Sequence, residues 1–178
     1  MGFKQRKCAV VHMLSSGPVP LQRLDKCSSD TDQGEIHNMP VQTYIFKVDL
    51  LDSRDPKISR TFSVPASSTF QKLHAAIQHV FSWQNEHLHL FTFHVPLEGG
   101  RNKVVSIQDT DMMGRDEGEG PNDIVLDEKS IKLKDVWQEG GRYRKDVTSN
   151  GTLGGCFYEY DFGVSGLTRW SLSRVKRF

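Results

Sequence analysis

Two alternating runs joined by a polar turn constrain this chain more than any other feature. From position 44 the residues Tyr44, Phe46, Val48 and Leu50 alternate with Ile45, Lys47, Asp49 and Leu51, and after the turn from Asp52 to Lys57 a second run, Ile58 to Val64, alternates again. A period of two puts successive side chains on opposite faces, so the pair predicts a hairpin with one buried face. Pro65 stops the second strand, and Ser68 with Gln71 three residues later predicts a capping box opening a helix. Along that helix Phe70, Leu73, Ile77, Val80 and Phe81 fall within a stripe about 120° wide at ~100° per residue, so one face packs on the sheet. The helix ends near Ser82, and "HLHLFTFHV", His87 to Val95, is apolar on both faces, as an interior strand would be.

The remainder is less regular. "IQDTDMMGRDEGEGPND" lies in an acidic loop spanning residues 104–129, "SIKLKDVW" reads as a short helical turn or strand, and "QEGGR" is a turn. A last strand runs from Cys156 to Phe162, with Cys156, Tyr158, Tyr160 and Phe162 on one face. The order β-β-α-β, an irregular section, then β specifies an α+β domain: a single mixed sheet crossed by one main helix, with a β-grasp-like arrangement as the expected topology.

A length of 178 residues with 37% hydrophobic and 10% aromatic residues supports one domain and its core, while a mean hydropathy of −0.50 leaves room for solvated chain. Residues 1–38, rich in Ser, Gly, Pro, Asp and Gln, read as a disordered leader, residues 39–163 as the domain, and residues 164–178 as a basic tail outside it. Charge is segregated: residues 104–129 hold two basic and eight acidic side chains, residues 164–178 four basic and none acidic. Short charge runs are usually solvated surface, and basic residues are not interleaved with Trp83, Trp137, Tyr158 and Tyr160, so nucleic acid is not an expected partner and these aromatics read as packing residues. Cys8, Cys27 and Cys156 are an odd number without metal-type spacing, which fits a reduced intracellular protein, cytoplasmic or nuclear. The apolar run Cys8 to Leu14 is short and broken by His12, no window approaches the ~18 apolar residues of a membrane helix, and Arg6 defeats a myristoylation signal.

Histidines supply the candidate chemistry. His87 and His89, two apart on a strand, project from one face and form an H-x-H pair able to share a metal. His74 sits at the edge of the helical stripe, within reach of that face, His79 points to solvent, and Asp161 on the last strand offers a carboxyl group. No cofactor is expected; zinc is the metal such a set would take. The competing reading makes these structural histidines hydrogen-bonded in a core shared with Phe91 and Phe93. Asp161-Phe162-Gly163 lacks the companions of the kinase magnesium motif, and Asp109, Asp111 and Gly114 satisfy too little of an EF-hand loop, whose fifth position here is Met113 and twelfth Gly120. Cys156 reads as a small core residue.

"YIFKVDLLDSRDPKISRTFSVPASSTFQKLHAAIQHVFSWQNEHLHLFTF", "KLKDVWQEGGR" and "YEYDFG" together resemble the plasmid pRiA open-reading-frame-three-like family, also labelled TnpR-type passenger proteins of insertion elements. The resemblance implies an α+β domain and carries no activity, and no recombinase serine or tyrosine motif accompanies the mobile-element label. In that family an acidic residue, a Trp and a His follow "YEYDFG", whereas this chain reads Val164-Ser165-Gly166-Leu167. Val164-Ser165 is how an intron donor, GTGAGT or GTAAGT, translates when read through, so residues 164–178 are expected to derive from an unspliced intron, leaving the final strand short of a partner; Met39 is the corresponding natural start. Three functions follow: a non-enzymatic module binding a protein partner; a metal-assisted or acid/base enzyme using His74, His87 and His89, with Asp161; and a mobile-element-associated nucleic-acid accessory.

Overall fold

The computed structural model describes residues 7–19, 41–51, 53–114 and 120–161. Among them the chain order is β1 (Lys7–Val19), β2 (Val41–Leu50), β3 (Ser59–Pro65), α1 (Phe70–Phe81), β4 (His89–Pro96), β5 (Asn102–Gln108), α2 (Thr110–Met113), β6 (Ile124–Asp127), α3 (Leu133–Trp137), β7 (Thr148–Ser149), β8 (Thr152–Leu153) and β9 (Gly155–Tyr160). A seven-stranded mixed sheet runs β3-β2-β1-β9-β4-β5-β6, and β7-β8 form a small second sheet. Neighbours in the large sheet are antiparallel except β5 and β6, so the parallel pair lies at one edge. The α+β class, the mixed sheet and the single main helix of the sequence reading are what the structure contains.

The predicted hairpin forms with Thr43 opposite Pro65 and Asp49 opposite Ser59, burying Tyr44, Phe46 and Val48. Register then carries an apolar row across five strands: Val48 on Val11, Val11 on Cys156, Cys156 on Phe93 and Phe93 on Val105. All five side chains are buried, and α1, through Phe70, Leu73 and Ile77, joins the same core with Leu133, Val136 and Trp137 of α3. Burying a large apolar side chain is worth roughly 1.5–3 kcal/mol. Trp137 stacks on Phe70, with 5.1 Å between ring centroids, and meets Phe46 edge-on at 5.0 Å, tying both helices to the hairpin.

Four expectations are corrected. Residues 7–19, placed in the leader, form β1 in the interior of the sheet, because Ala9 and Val11 alternate inward and are buried. Consequently β9 does not lack a partner: β1 pairs with one edge and β4 with the other. The acidic loop assigned to residues 104–129 contains most of β5 and all of β6, since Val105 and Ile107 turn inward on either side of Ser106. The helix cap is Thr69, whose hydroxyl accepts from Lys72 N–H at 3.4 Å, rather than Ser68; the Ser68 carbonyl accepts instead from Leu133 N–H at 2.8 Å. The basic tail with its intron reading, Met39 and Phe162 lie outside the described residues. Among the described residues no helix is long and apolar enough to cross a membrane.

Candidate functional site

The end of α1 builds the site. Ser82 takes a left-handed conformation (φ 54°) and Trp83 N–H donates to Gln78 O, so the chain reverses and residues 83–86 fold back along the helix. Two tyrosines of β9 hold that segment. Trp83 stacks on Tyr160 with 5.4 Å between centroids and 3° between planes, and the Tyr160 hydroxyl accepts from Glu86 N–H at 3.0 Å. Beside them opens a cleft of about 370 Å³ lined by His74, Asn85, His87, His89, Asp109 and Glu128, among others.

His74 is 3% exposed and sits in a closed ring of hydrogen bonds. Asn85 N–H donates to Gln78 Oε1 at 3.2 Å, which turns the Gln78 amide so that Nε2–H donates to the Tyr158 hydroxyl at 2.8 Å. The Tyr158 hydroxyl is then free to donate to His74 Nδ1 at 2.9 Å, and His74 Nε2–H donates to Asn85 Oδ1. This network assigns the Nε2–H tautomer of a neutral imidazole and leaves neither ring nitrogen free. Burial lowers the His74 pKa to about 4, the adjacent His89 pushing the same way and the Asn85 hydrogen bond opposing both.

His89 opens β4 and lies flat against His74, with 3.3 Å between centroids and 7° between planes. Its Nε2 meets Glu128 Oε2 at 2.7 Å, and Glu128 is 1% exposed. His87 stands before β4 rather than within it, and its Nδ1 lies 3.4 Å from Asp161 Oδ1. The structure thus brings His74 and His89 together and gives His87 and His89 separate acidic partners. Among the described residues, no group of three or more His, Cys, Asp or Glu is arranged to hold a metal ion. Nor do Asp109 and Asp111 form a calcium loop: both carboxyl groups accept from Lys129 Nζ, at 3.0 and 2.8 Å. Burial pushes the Asp109 pKa up, but the hydrogen bond from Lys129 outweighs it together with backbone donors, and the net shift is downward.

His79 is exposed, as its place on the helix requires, and Cys156 is buried, with its thiol pKa raised by burial. The residues that sequence reasoning missed are Gln78, Asn85, Glu128 and the role of Tyr158. Glu128 hides in the acidic stretch, whereas Gln78 and Tyr158 had a local signal, polar groups on the inward face of an element. Met112, 72% exposed, and Met113 supply apolar surface at the cleft.

The model of the family described as plasmid pRiA4b ORF-3-like protein matches residues 42–166, more than half of the chain. Of the sheet, β1 precedes the matched segment. A solved structure of a protein of unknown function from Methanosarcina mazei Go1 is similar at 24% identity and a TM-score of 0.37, over 67% of this chain and 59% of that one. This chain therefore spans about three-fifths of the length of that protein. No curated protein matches the chain.

Proposed function

The chain belongs to the plasmid pRiA4b ORF-3-like family, and we propose that it is a non-enzymatic binding module that receives a basic side chain of a protein partner in the histidine-lined cleft. The observation that carries this reading is the closed ring around His74. Both ring nitrogens of His74 and the Tyr158 hydroxyl are spent on other members, so the most buried imidazole of the cleft serves as a rigid wall rather than as a base or a ligand. What the cleft presents to a visitor is mixed. The acidic side chain Glu86 lines it together with Ala75, Leu88 and the two methionines, Asp109 and Glu128 add negative charge while held by Lys129 and His89, and no described lysine or arginine lines it. An alkyl stem ending in a cation matches both halves of that lining.

The test is an NMR titration of the full chain with Nα-acetyl-arginine amide and, separately, Nα-acetyl-glutamate amide. Shift changes at His87, His89, Met112 and Glu128 with the arginine probe alone are expected. Equal responses to both probes, or none at the cleft with arginine in large excess, overturn the reading.

A second reading rests on a specific contact. The 2.7 Å approach of His89 Nε2 to the buried Glu128 is the arrangement in which a carboxyl group orients a histidine for acid or base work. Turnover in a panel of chromogenic esters and phosphoesters that is lost in His89→Asn would favour this enzyme over the module.

A further inference from the structure

A second cavity, of about 780 Å³, lies away from the histidines and is lined by Tyr44, Trp137, Arg144, Lys145, Thr148 and Asn150 among others. Tyr44 is part of that lining, and its hydroxyl, shut off from solvent just beneath the cavity surface, has an unmet demand. Tyr44 is 1% exposed, and its hydroxyl is buried without a hydrogen-bond partner among the described residues. Buried hydroxyls are nearly always paired, because leaving one unpaired forfeits the hydrogen bonds that water gave it in the unfolded chain. The unmet capacity is that of a donor: burial raises the phenol's pKa, with Arg144 pulling it down and Asp135 pushing it up, so the proton stays on at neutral pH.

The remaining lining supplies the sign of the missing partner. Arg144 and Lys145 are the basic side chains of the cavity, and Glu139 is its one acidic side chain among the described residues. Arg144 is only lightly engaged, with Nη1 donating to Trp137 O at 3.3 Å. Its backbone is fixed more firmly, since the Arg144 carbonyl accepts from the Thr148 hydroxyl at 2.7 Å. A phenolic donor, a half-buried guanidinium and an exposed ammonium are a set of donors that an oxyanion satisfies more strongly than a neutral acceptor does and a cation does not satisfy. Trp137 seals the inner wall by stacking on Phe70, so the cavity is backed by the rigid core and not by a loop.

We infer that this cavity is a binding site for a small organic anion whose acidic group, a carboxylate or a phosphate, pairs with Arg144 and Lys145 and, as those side chains turn toward it and uncover the phenol, accepts from the Tyr44 hydroxyl. Recognition here is independent of the histidine-lined cleft, and no lining residue is shared between the two.

The experiment titrates the full chain with inorganic phosphate, with succinate, and with sodium chloride at matched ionic strength, reading melting temperature and the NMR resonances of Tyr44, Arg144 and Thr148. Saturable shifts with phosphate or with succinate, beyond those of chloride, are expected, and the stronger of the two arms identifies the acid. Tyr44→Phe should weaken that binding about tenfold, the worth of one hydrogen bond to a charged group, while keeping the fold. Lys145→Gln, at an exposed rim position, should weaken it less and steepen no unfolding transition. The inference is overturned if both acids behave as chloride does, or if Tyr44→Phe binds the preferred acid as tightly as the unaltered chain.

Discussion

Tyr158 and Tyr44 stand on the same buried face of one sheet, on strands β9 and β2, and both are essentially inaccessible to solvent. Their hydroxyls meet opposite fates. That of Tyr158 both accepts and donates within a closed ring, while that of Tyr44 has no partner among the described residues. The contrast separates two uses of a buried polar group. A satisfied network makes a core unique and rigid, and its members are spent. An unsatisfied group beside a cavity still has a hydrogen bond to give, which is the premise of the anion site proposed there. By this criterion the cluster richest in chemically suggestive residues, the histidines, is in large part structural. The plainer cavity around Tyr44 holds the open valence.

The sharpest way to break this comparison is to delete the same atom twice. Tyr158→Phe leaves His74 Nδ1 and the Gln78 amide buried without their partner, at about 1–3 kcal/mol for each orphaned group, so a loss of about 4 kcal/mol is expected in urea unfolding at neutral pH. A loss under about 1 kcal/mol would show that the ring is loosely made and that Tyr158 differs little from Tyr44.

A second, slightly smaller effect follows from proton linkage. His74 has a folded-state pKa of about 4 against 6.5 for an ordinary imidazole side chain. Between those values the unfolded chain binds a proton that the folded ring refuses, so stability is complete above about pH 6.5 and falls by about 3 kcal/mol as the pH drops to 4. Burial lowers the pKa of His94 as well, with Asp123 opposing, which adds loss in the same direction. Denaturant midpoints measured between pH 4 and 7 should show this slope in the unaltered chain and a slope smaller by about one proton in His74→Gln. An unchanged slope would mean that His74 titrates normally and that its ring is open.

These two effects could not have been foreseen from the sequence, although much of the frame could. The β2–β3 hairpin, α1, β4 and β9 announce themselves because each is long enough for its period to repeat against polar neighbours. Strand β5 offers only Val105 and Ile107 as fully inward residues, with Val104 beside the first and an acidic stretch directly after, too short a run for alternation to stand out. Strand β1 does alternate through Ala9, Val11 and Met13, but small and polar residues, with Gly17 and Pro18 at its end, give it the composition of a solvated leader; only its pairing with β2 and β9 reveals an interior strand. For the site, the faces were legible and the partners were not. His74 could be placed at the edge of a stripe and Tyr158 on an inward face. That one would find the other across 84 positions depends on the sheet order, which no local pattern states.

His87 offers a smaller effect that marks where the closed network ends. It lines the same cleft as His74, yet its side chain is 28% exposed and its contact with Asp161 is long, at 3.4 Å. Partly solvated contacts of this kind are worth about 0–1 kcal/mol even when both partners are charged. His87→Ala should therefore leave thermal stability within that range while reducing the response to the arginine probe. A loss comparable to that of Tyr158→Phe would extend the rigid network to the mouth of the cleft and undercut a binding role there.

The smallest effect on stability is expected from the open side of the comparison. Tyr44→Phe removes a hydroxyl that bonds to nothing while preserving the ring, which meets Phe46 edge-on at 6.2 Å. Nothing is broken in the folded state, and the unfolded chain loses a favourable contact with water, so the variant should be as stable as the unaltered chain or more stable by up to about 1 kcal/mol. The measurement is a denaturant titration in buffer free of phosphate and carboxylic acids, since an anion already bound would stabilise the unaltered chain and invert the sign. Repeated with the preferred anion present, the same pair of proteins should cross over, the tyrosine form becoming the more stable. A fixed phenylalanine penalty in both buffers would mean that the hydroxyl already has a partner within the fold, and Tyr44 would then join Tyr158 among the spent groups.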